Sequence, residues 1–180
     1  MDTKNTKILA LQKKKVPPQV VDLEEAVLGA LMIDKNAISE IVDILHTDCF
    51  YKESHQEIYD SLTELFNDAE PIDILTVTEK LKKRGKLKFC GGEVYLAELT
   101  QKVTSSAHIE FHARIIVQKY IQRKLISISS ELISDAFDET TDVIELMDKA
   151  EREIFKITEG NIKKNYTKAN DLIHEAIKRI

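Results

Sequence analysis

From Ala107 to Phe137 the chain runs for about 30 residues without a glycine or a proline. No other feature limits the fold as much. The run predicts a single helix of roughly 45 Å at 1.5 Å per residue. Ile109, Ala113, Ile116 and Tyr120 step by 4, 3 and 4 along it, and the seam then shifts to Ile121, Leu125, Ile128, Leu132 and Ala136. Such a drift is expected of a long helix that meets different neighbours along its length. Asp138–Thr141 is a short polar turn. Asp142 and Glu145 then form a capping-box pattern ahead of Val143, Leu146, Ala150, Ile154 and Ile157, and Gly160 closes the segment. Two long helices joined by so short a turn form an antiparallel hairpin. Ile115, Val117, Ile126, Ile133, Phe137 and Phe155 fall off its stepped seam. Two helices alone leave them uncovered, so self-association is expected over full cover by the rest of the chain.

The residues before the hairpin predict a head of short helices. Residues 1–15 show no sustained period and read as a tail, with Lys13, Lys14 and Lys15 solvated. Pro17 and Pro18 hold the chain extended ahead of a helix with Leu23, Ala26, Val27, Ala30 and Leu31 on one face and Leu28 and Met32 on a second. Asp22 with Glu25 reads as its capping box. Gly29, in its middle, costs about 1 kcal/mol relative to alanine and so implies close approach by a neighbouring helix. Ile38, Ile41, Val42 and Leu45 mark a short helix after Asn36. Ser54 with Glu57 reads as another capping box, followed by Ile58, Leu62, Leu65 and Phe66. Asp73 caps a helix that ends at Lys82, Lys83, Arg84 and Gly85, where the dipole favours cations and glycine suits a left-handed cap. Gly91 and Gly92 open a helix through Tyr95, Leu96, Leu99 and Val103.

Composition agrees with an all-α protein: a small globular helical head over 16–104 followed by a long antiparallel helical hairpin over 105–160. Five glycines and three prolines are few for a strand-and-turn protein, and 43% apolar residues suffice for a core. A linker over 161–169 leads to a helix over 170–180 whose face is Ile173, Ala176, Ile177 and Ile180. Twenty-six basic against 31 acidic residues, a net charge of −5, argue against a domain built to grip phosphates. No apolar run approaches the ~18 residues of a membrane span, so no membrane partner is expected. Two isolated cysteines, Cys49 and Cys90, point to a reducing compartment, hence the cytoplasm.

No catalytic, cofactor-binding or metal site emerges. The glycines form neither GxGxxG nor a phosphate-binding loop. Gly91-Gly92 reads as a helix-initiating turn. His108 and His112 share a face without further ligands, and read as a surface pair. Cys49, between Asp48 and Phe50 and near His46, reads as packing. Glu24-Glu25 and Asp138-Glu139 read as helix-start or turn acids explained by dipole and solvent. The chain alone is not expected to be an enzyme.

The ordered series VPPQVVDLEEAVLGALMI, DCFY, HQEIYDSLTEL, PIDILTVTEKLKKRGKL, GGEVYLAELT and FKI near 155 resembles the amino-terminal region of DnaB-type replicative DNA helicases over about residues 16–159. The resemblance implies a collar in a hexameric ring, arranged as a trimer of dimers through helical hairpins. It implies primase as a partner and, in some lineages, a helicase loader. The family's RecA-like motor binds ATP and Mg and moves 5′ to 3′ on single-stranded DNA. This chain lacks its phosphate-binding loop, so ATP hydrolysis and unwinding are expected of sequence outside it. Residues 170–180 resemble the start of the family's linker helix, which docks on a neighbouring motor. Within the hairpin, Ile116, Tyr120, Arg123, Leu125 and Ile128 are expected to face a partner, with burial inside the hairpin as the alternative. Two further readings stay open. One is a helix-turn-helix module carried by the basic run Lys80, Lys82, Lys83, Arg84, Lys86 and Lys88. The other is a stand-alone helical adaptor.

Overall fold

A computed structural model describes residues 16–34, 36–103 and 106–159. The tail expected over 1–15, the linker over 161–169, and the helix over 170–180 with Ile173, Ala176, Ile177 and Ile180 lie outside the described residues. Among the described residues every regular element is helical. They are α1 (Val21–Ile33), α2 (Ala37–Ile41), a 3-10 turn (Thr47–Cys49), α3 (Glu53–Asn67), α4 (Ile74–Lys83), α5 (Gly92–Gln101) and α6 (Ile109–Ala136). A further helix, α7, covers 143–159.

α1 is the axis of the head. It packs against α5, α6 and α3, and touches α2 and α4 at its edges. A helix enclosed on so many sides needs apolar residues around most of its circumference, and Val27, Leu28, Leu31 and Met32 are all buried. Both of its expected stripes are therefore covered within one chain. Gly29 makes the packing possible. A Cβ there would overlap the Leu99 carbonyl oxygen of α5 and stand 2.6 Å from Val103 Cγ2.

Around α1 the core is completed by Ile38 and Ile41, by Ile58, Tyr59, Leu62 and Leu65 of α3, by Val77 and Leu81 of α4, and by Leu96 and Leu99 of α5. Ile109, Ala113 and Ile116 of α6 belong to the same cluster. The head thus continues past residue 104 and takes in the first turns of the long helix. A packed interior of this kind tolerates no unfilled side, and α6 supplies the wall that the five short helices leave open.

The helix boundaries test the capping expectations one by one. Asp73 accepts from the backbone N–H groups of Leu75 and Thr76, both at 2.9 Å, and the Asp73 N–H donates to Thr76 Oγ1 at 3.0 Å. Asp142 accepts from the N–H groups of Ile144 and Glu145 at 2.8 and 3.2 Å and caps α7. Gly85 closes α4 at φ +68, and Gly91 and Gly92 open α5 at φ +89 and +74, the left-handed region where glycine carries no Cβ penalty. Two expected boxes are absent. α1 starts one residue before Asp22 and α3 one residue before Ser54, and neither has a side-chain cap. In each case the glutamate is drawn to cations from elsewhere in the fold: Glu25 to Lys52 and Lys102, and Glu57 to Arg84 and Lys86.

Candidate self-association interface

Beyond the head, α6 and α7 form the expected antiparallel hairpin. Lys149 Nζ of α7 lies 2.6 Å from Asp135 Oδ2 of α6. Leu146, Ala150 and Ile157 are partly buried, as the α7 seam requires. Val143 and Ile154, placed on the same seam by spacing, are instead exposed together with Ile144, Met147 and Phe155. At 100° per residue these five fall within one third of the helix circumference, beside the buried seam. Met147 is 67% exposed.

α6 carries a matching feature. Phe111, Ile115, Gln118, Gln122, Ile126, Ser129, Ile133 and Phe137 follow one another at steps of 4, 3, 4, 4, 3, 4 and 4, and none is charged. This is the spacing of a helix–helix seam. Ile126 is 49% and Phe137 66% exposed; Phe111 is exposed as well, and Ile115 and Ile133 are partly covered. A long helix thus has two seams, one spent on its own chain and one presented outward. Exposed apolar residues aligned along one uncharged helix face mark an interaction site.

The five residues expected to face a partner divide unevenly. Ile116 is 0% exposed and is part of the head's core, so its assignment is corrected: it packs within its own chain. Tyr120 is also turned to the head, with its ring edge-on to His46 at 4.9 Å between centroids. Arg123 donates from Nη1 to the Pro18 carbonyl at 2.9 Å and from Nη2 to the Cys49 carbonyl at 2.7 Å. Ile128 lines a groove between α6 and α7, with His46, Tyr120, Lys124, Glu153, Lys156 and Ile157. Leu125, at 42% exposure, is the one of the five presented outward. The reason is geometric. The 4-3-4 seam that supplied Ile116 and Tyr120 faces the head, and the outward seam runs about 100° or more away around the helix.

The head holds a polar cluster that spacing did not reveal. Glu24 and Glu25 are buried rather than solvated, which corrects their reading as helix-start acids. Glu24 accepts from the Tyr51 N–H at 2.7 Å and pairs with His55 Nδ1 at 2.7 Å, and His55 Nε2 lies 2.7 Å from the Tyr95 hydroxyl. Tyr95 in turn donates to Glu25 at 3.1 Å, and Lys102 and Lys52 donate to Glu25 at 2.5 and 3.3 Å. Burial pushes the Glu25 carboxyl up, but hydrogen bonds from Lys102, Tyr95 and Lys52 outweigh it and hold the group below its ordinary value. The cluster joins α1, α3 and α5. Every member has a partner, as a buried polar group requires.

Half of the basic run is committed within the chain, while Lys82, Lys83 and Lys88 are exposed. Lys80 pairs with Glu64 and Asp68, Arg84 with Asp60, Glu57 and Glu64, and Lys86 with Glu57. Cations neutralised this way offer little to phosphates, which weighs against the helix-turn-helix reading. Cys49 and Cys90 are buried, and burial pushes the Cys90 thiol up to about 11, away from thiolate chemistry. Cys49 Sγ lies 2.8 Å from His46 Nδ1, a local contact within the packed 3-10 turn. Among the described residues no group of three or more His, Cys, Asp or Glu could hold a metal ion, and no helix is long and apolar enough to cross a membrane.

Comparison with known proteins places this architecture. Residues 16–118 match the family described as DnaB-like helicase N terminal domain. The replicative DNA helicase DnaB of Rhodothermus marinus is 40% identical over 169 residues, covering 94% of this chain and 18% of that protein. The crystal structure of the N-terminal domain of DnaB helicase from Mycobacterium tuberculosis superposes with a TM-score of 0.75 at 32% identity, covering 79% of this chain and 99% of that one. The structure of a DnaB-like replicative helicase and its interactions with primase gives a TM-score of 0.64 at 23% identity, covering 86% of this chain and 35% of that one, a likeness of fold alone. The chain spans only 18% of the Rhodothermus marinus protein and 38% of the replicative DNA helicase DnaB of Treponema pallidum.

Proposed function

The chain belongs to the DnaB-like helicase N-terminal domain family, and we propose that it is the assembly collar of a replicative DNA helicase. In this reading copies of the chain pair through their hairpins, the pairs build the collar of a hexameric ring, and the collar receives primase. ATP and Mg binding, hydrolysis, and 5′ to 3′ movement on single-stranded DNA belong to sequence outside the chain. A helicase loader is a further partner where one is used, and the cytoplasm is the compartment in which the protein works.

One observation carries the proposal: the uncharged seam Phe111 to Phe137 on the outward side of α6, with exposed Val143, Ile144, Met147, Ile154 and Phe155 on α7. Soluble monomers rarely keep so many large apolar side chains exposed side by side, which points to a covering partner. Primase enters from a protein of the same fold, described as a DnaB-like replicative helicase and its interactions with primase. The test is sedimentation equilibrium over a micromolar concentration series, followed by titration with the primase of the same organism. The expected result is a concentration-dependent dimer or larger species and saturable primase binding. A monomer at tens of micromolar that ignores primase would refute the collar and return the chain to the class of stand-alone adaptor.

A further inference from the structure

The geometry points to Arg123 as the pin that sets the angle of the hairpin arm against the head. The guanidinium sits where the long helix leaves the head. Before it, Ile109, Ala113 and Ile116 are core, and Val117 and Tyr120 pack against that core. After it, none of residues 124–136 is buried. Ser127 bonds Glu131, and Asp135 pairs with Lys149, both within the hairpin.

At this junction Arg123 holds two separate segments at once. Nη1 donates to Pro18, in the extended entry to α1, and Nη2 to Cys49, at the end of the 3-10 turn. Its charged plane also lies 5.6 Å from the Tyr51 ring centroid and 6.0 Å from that of Tyr120. A planar fork with two fixed donors fixes direction as well as distance, which a lysine cannot do. A groove adjoins the junction. It measures about 250 Å³ and lies between His46 of the head, Tyr120, Lys124 and Ile128 of α6, and Glu153, Lys156 and Ile157 of α7. Thirteen residue steps from Arg123 to Ala136 make a lever of about 20 Å, so a 10° change at the pin moves the tip by roughly 3.5 Å. Hinges of this kind sit at the end of a packed element, where a few contacts decide between arrangements. Arg123 is therefore a positioning residue: it aims the outward seam without itself being part of it.

The test measures the angle directly and does not depend on assembly. Spin labels are placed through p-acetylphenylalanine at the exposed positions Lys88 in the head and Glu139 at the hairpin tip, so that Cys49 and Cys90 stay native. Labelled chain is diluted into unlabelled chain, and the intramolecular distance distribution is read by pulsed electron spin resonance. Wild type is expected to give one narrow distribution. Arg123→Ala is expected to at least double its width or add a second peak. Arg123→Lys, which keeps the charge but reaches one carbonyl at a time, is expected to widen it as well, while Ser130→Ala, exposed and bonded only within its own helix, leaves it unchanged. If Arg123→Ala does not fold, Arg123→Lys decides alone. Distributions that superimpose on wild type, even with a lower melting temperature, reduce Arg123 to a stabilising contact and overturn the proposal.

Discussion

The Leu99 carbonyl of α5 occupies the space that a side chain on Gly29 of α1 would need. The two backbones meet there without an intervening Cβ, and Val103 closes the other side. Backbone cannot step aside as a flexible side chain can, so even one methyl group forces α1 and α5 apart. Gly29→Ala recovers about 1 kcal/mol of helix propensity, but overpacking costs about 1–3 kcal/mol, and the rigid carbonyl places this site at the upper end. Urea unfolding followed by circular dichroism should show a net loss of at least 1 kcal/mol for Gly29→Ala and more for Gly29→Leu. Unchanged midpoints in both variants would dismiss the close-approach account.

The Glu24–His55 pair is the second place where the head can be tested. Both side chains are essentially inaccessible, and each satisfies a different further group, the Tyr51 N–H and the Tyr95 hydroxyl. Removing one partner leaves the other's polar atom buried without its hydrogen bond, which costs about 1–3 kcal/mol. Glu24→Ala and His55→Ala should each destabilise by roughly that amount. The double variant should lose less than the sum by more than about 1 kcal/mol, because the stranded group is then gone as well. Strict additivity in urea unfolding would show that the two residues act independently.

Glu25 gives the fold a predictable acid response. Its carboxyl is held below the ordinary value of 4.5, so the folded state gives up its proton more readily than the unfolded chain. Its contribution is therefore complete above 4.5 and is lost as pH falls through that value toward the lowered one. Lys52 and Lys102 are about half exposed, so solvent screening keeps the effect to about 1 kcal/mol. Glu25→Gln should melt earlier than wild type at pH 7, and the gap between the two curves should shrink as pH falls below 4.5. A constant gap from pH 7 to pH 3.5 would contradict this linkage.

What was legible in the sequence follows from the reach of each physical signal. Helix spans and the hairpin turn come from local periodicity and from Gly, Pro and Asp punctuation, and Asp73, Gly85, Gly91 and Asp142 behave as their positions predict. Gly29 could be read because a propensity cost in a helix interior demands a tertiary reason. Glu24 and Glu25 could not. A carboxylate in the first turn looks the same in sequence whether it faces water or His55 and Lys102, residues 31 and 77 positions away. The candidate interface was half legible. Ile115, Ile126, Ile133, Phe137 and Phe155 already stood off the inner seam. Which of two seams on α6 faces outward depends on the head, and periodicity along one helix carries no information about that.

That choice between seams can be decided by one pair of substitutions. Ile116 and Ile126 are both isoleucines of α6, ten residues and roughly 15 Å apart along the axis. Ile116 is enclosed by the head, so Ile116→Asp buries an unpaired carboxylate and should abolish cooperative unfolding at 25 °C. Ile126 lies half exposed on the uncharged outward seam, so Ile126→Asp should leave the helical circular dichroism and the melting temperature of the monomer within error. The same change should weaken self-association by at least tenfold, since a carboxylate in a covered apolar seam costs more than about 1.4 kcal/mol. Phe137→Asp, three turns further along the same seam, should behave as Ile126→Asp does. If Ile126→Asp and Phe137→Asp associate as wild type does in sedimentation equilibrium, the outward seam of α6 is not the contact between copies, and the exposed side of α7 becomes the surface to test.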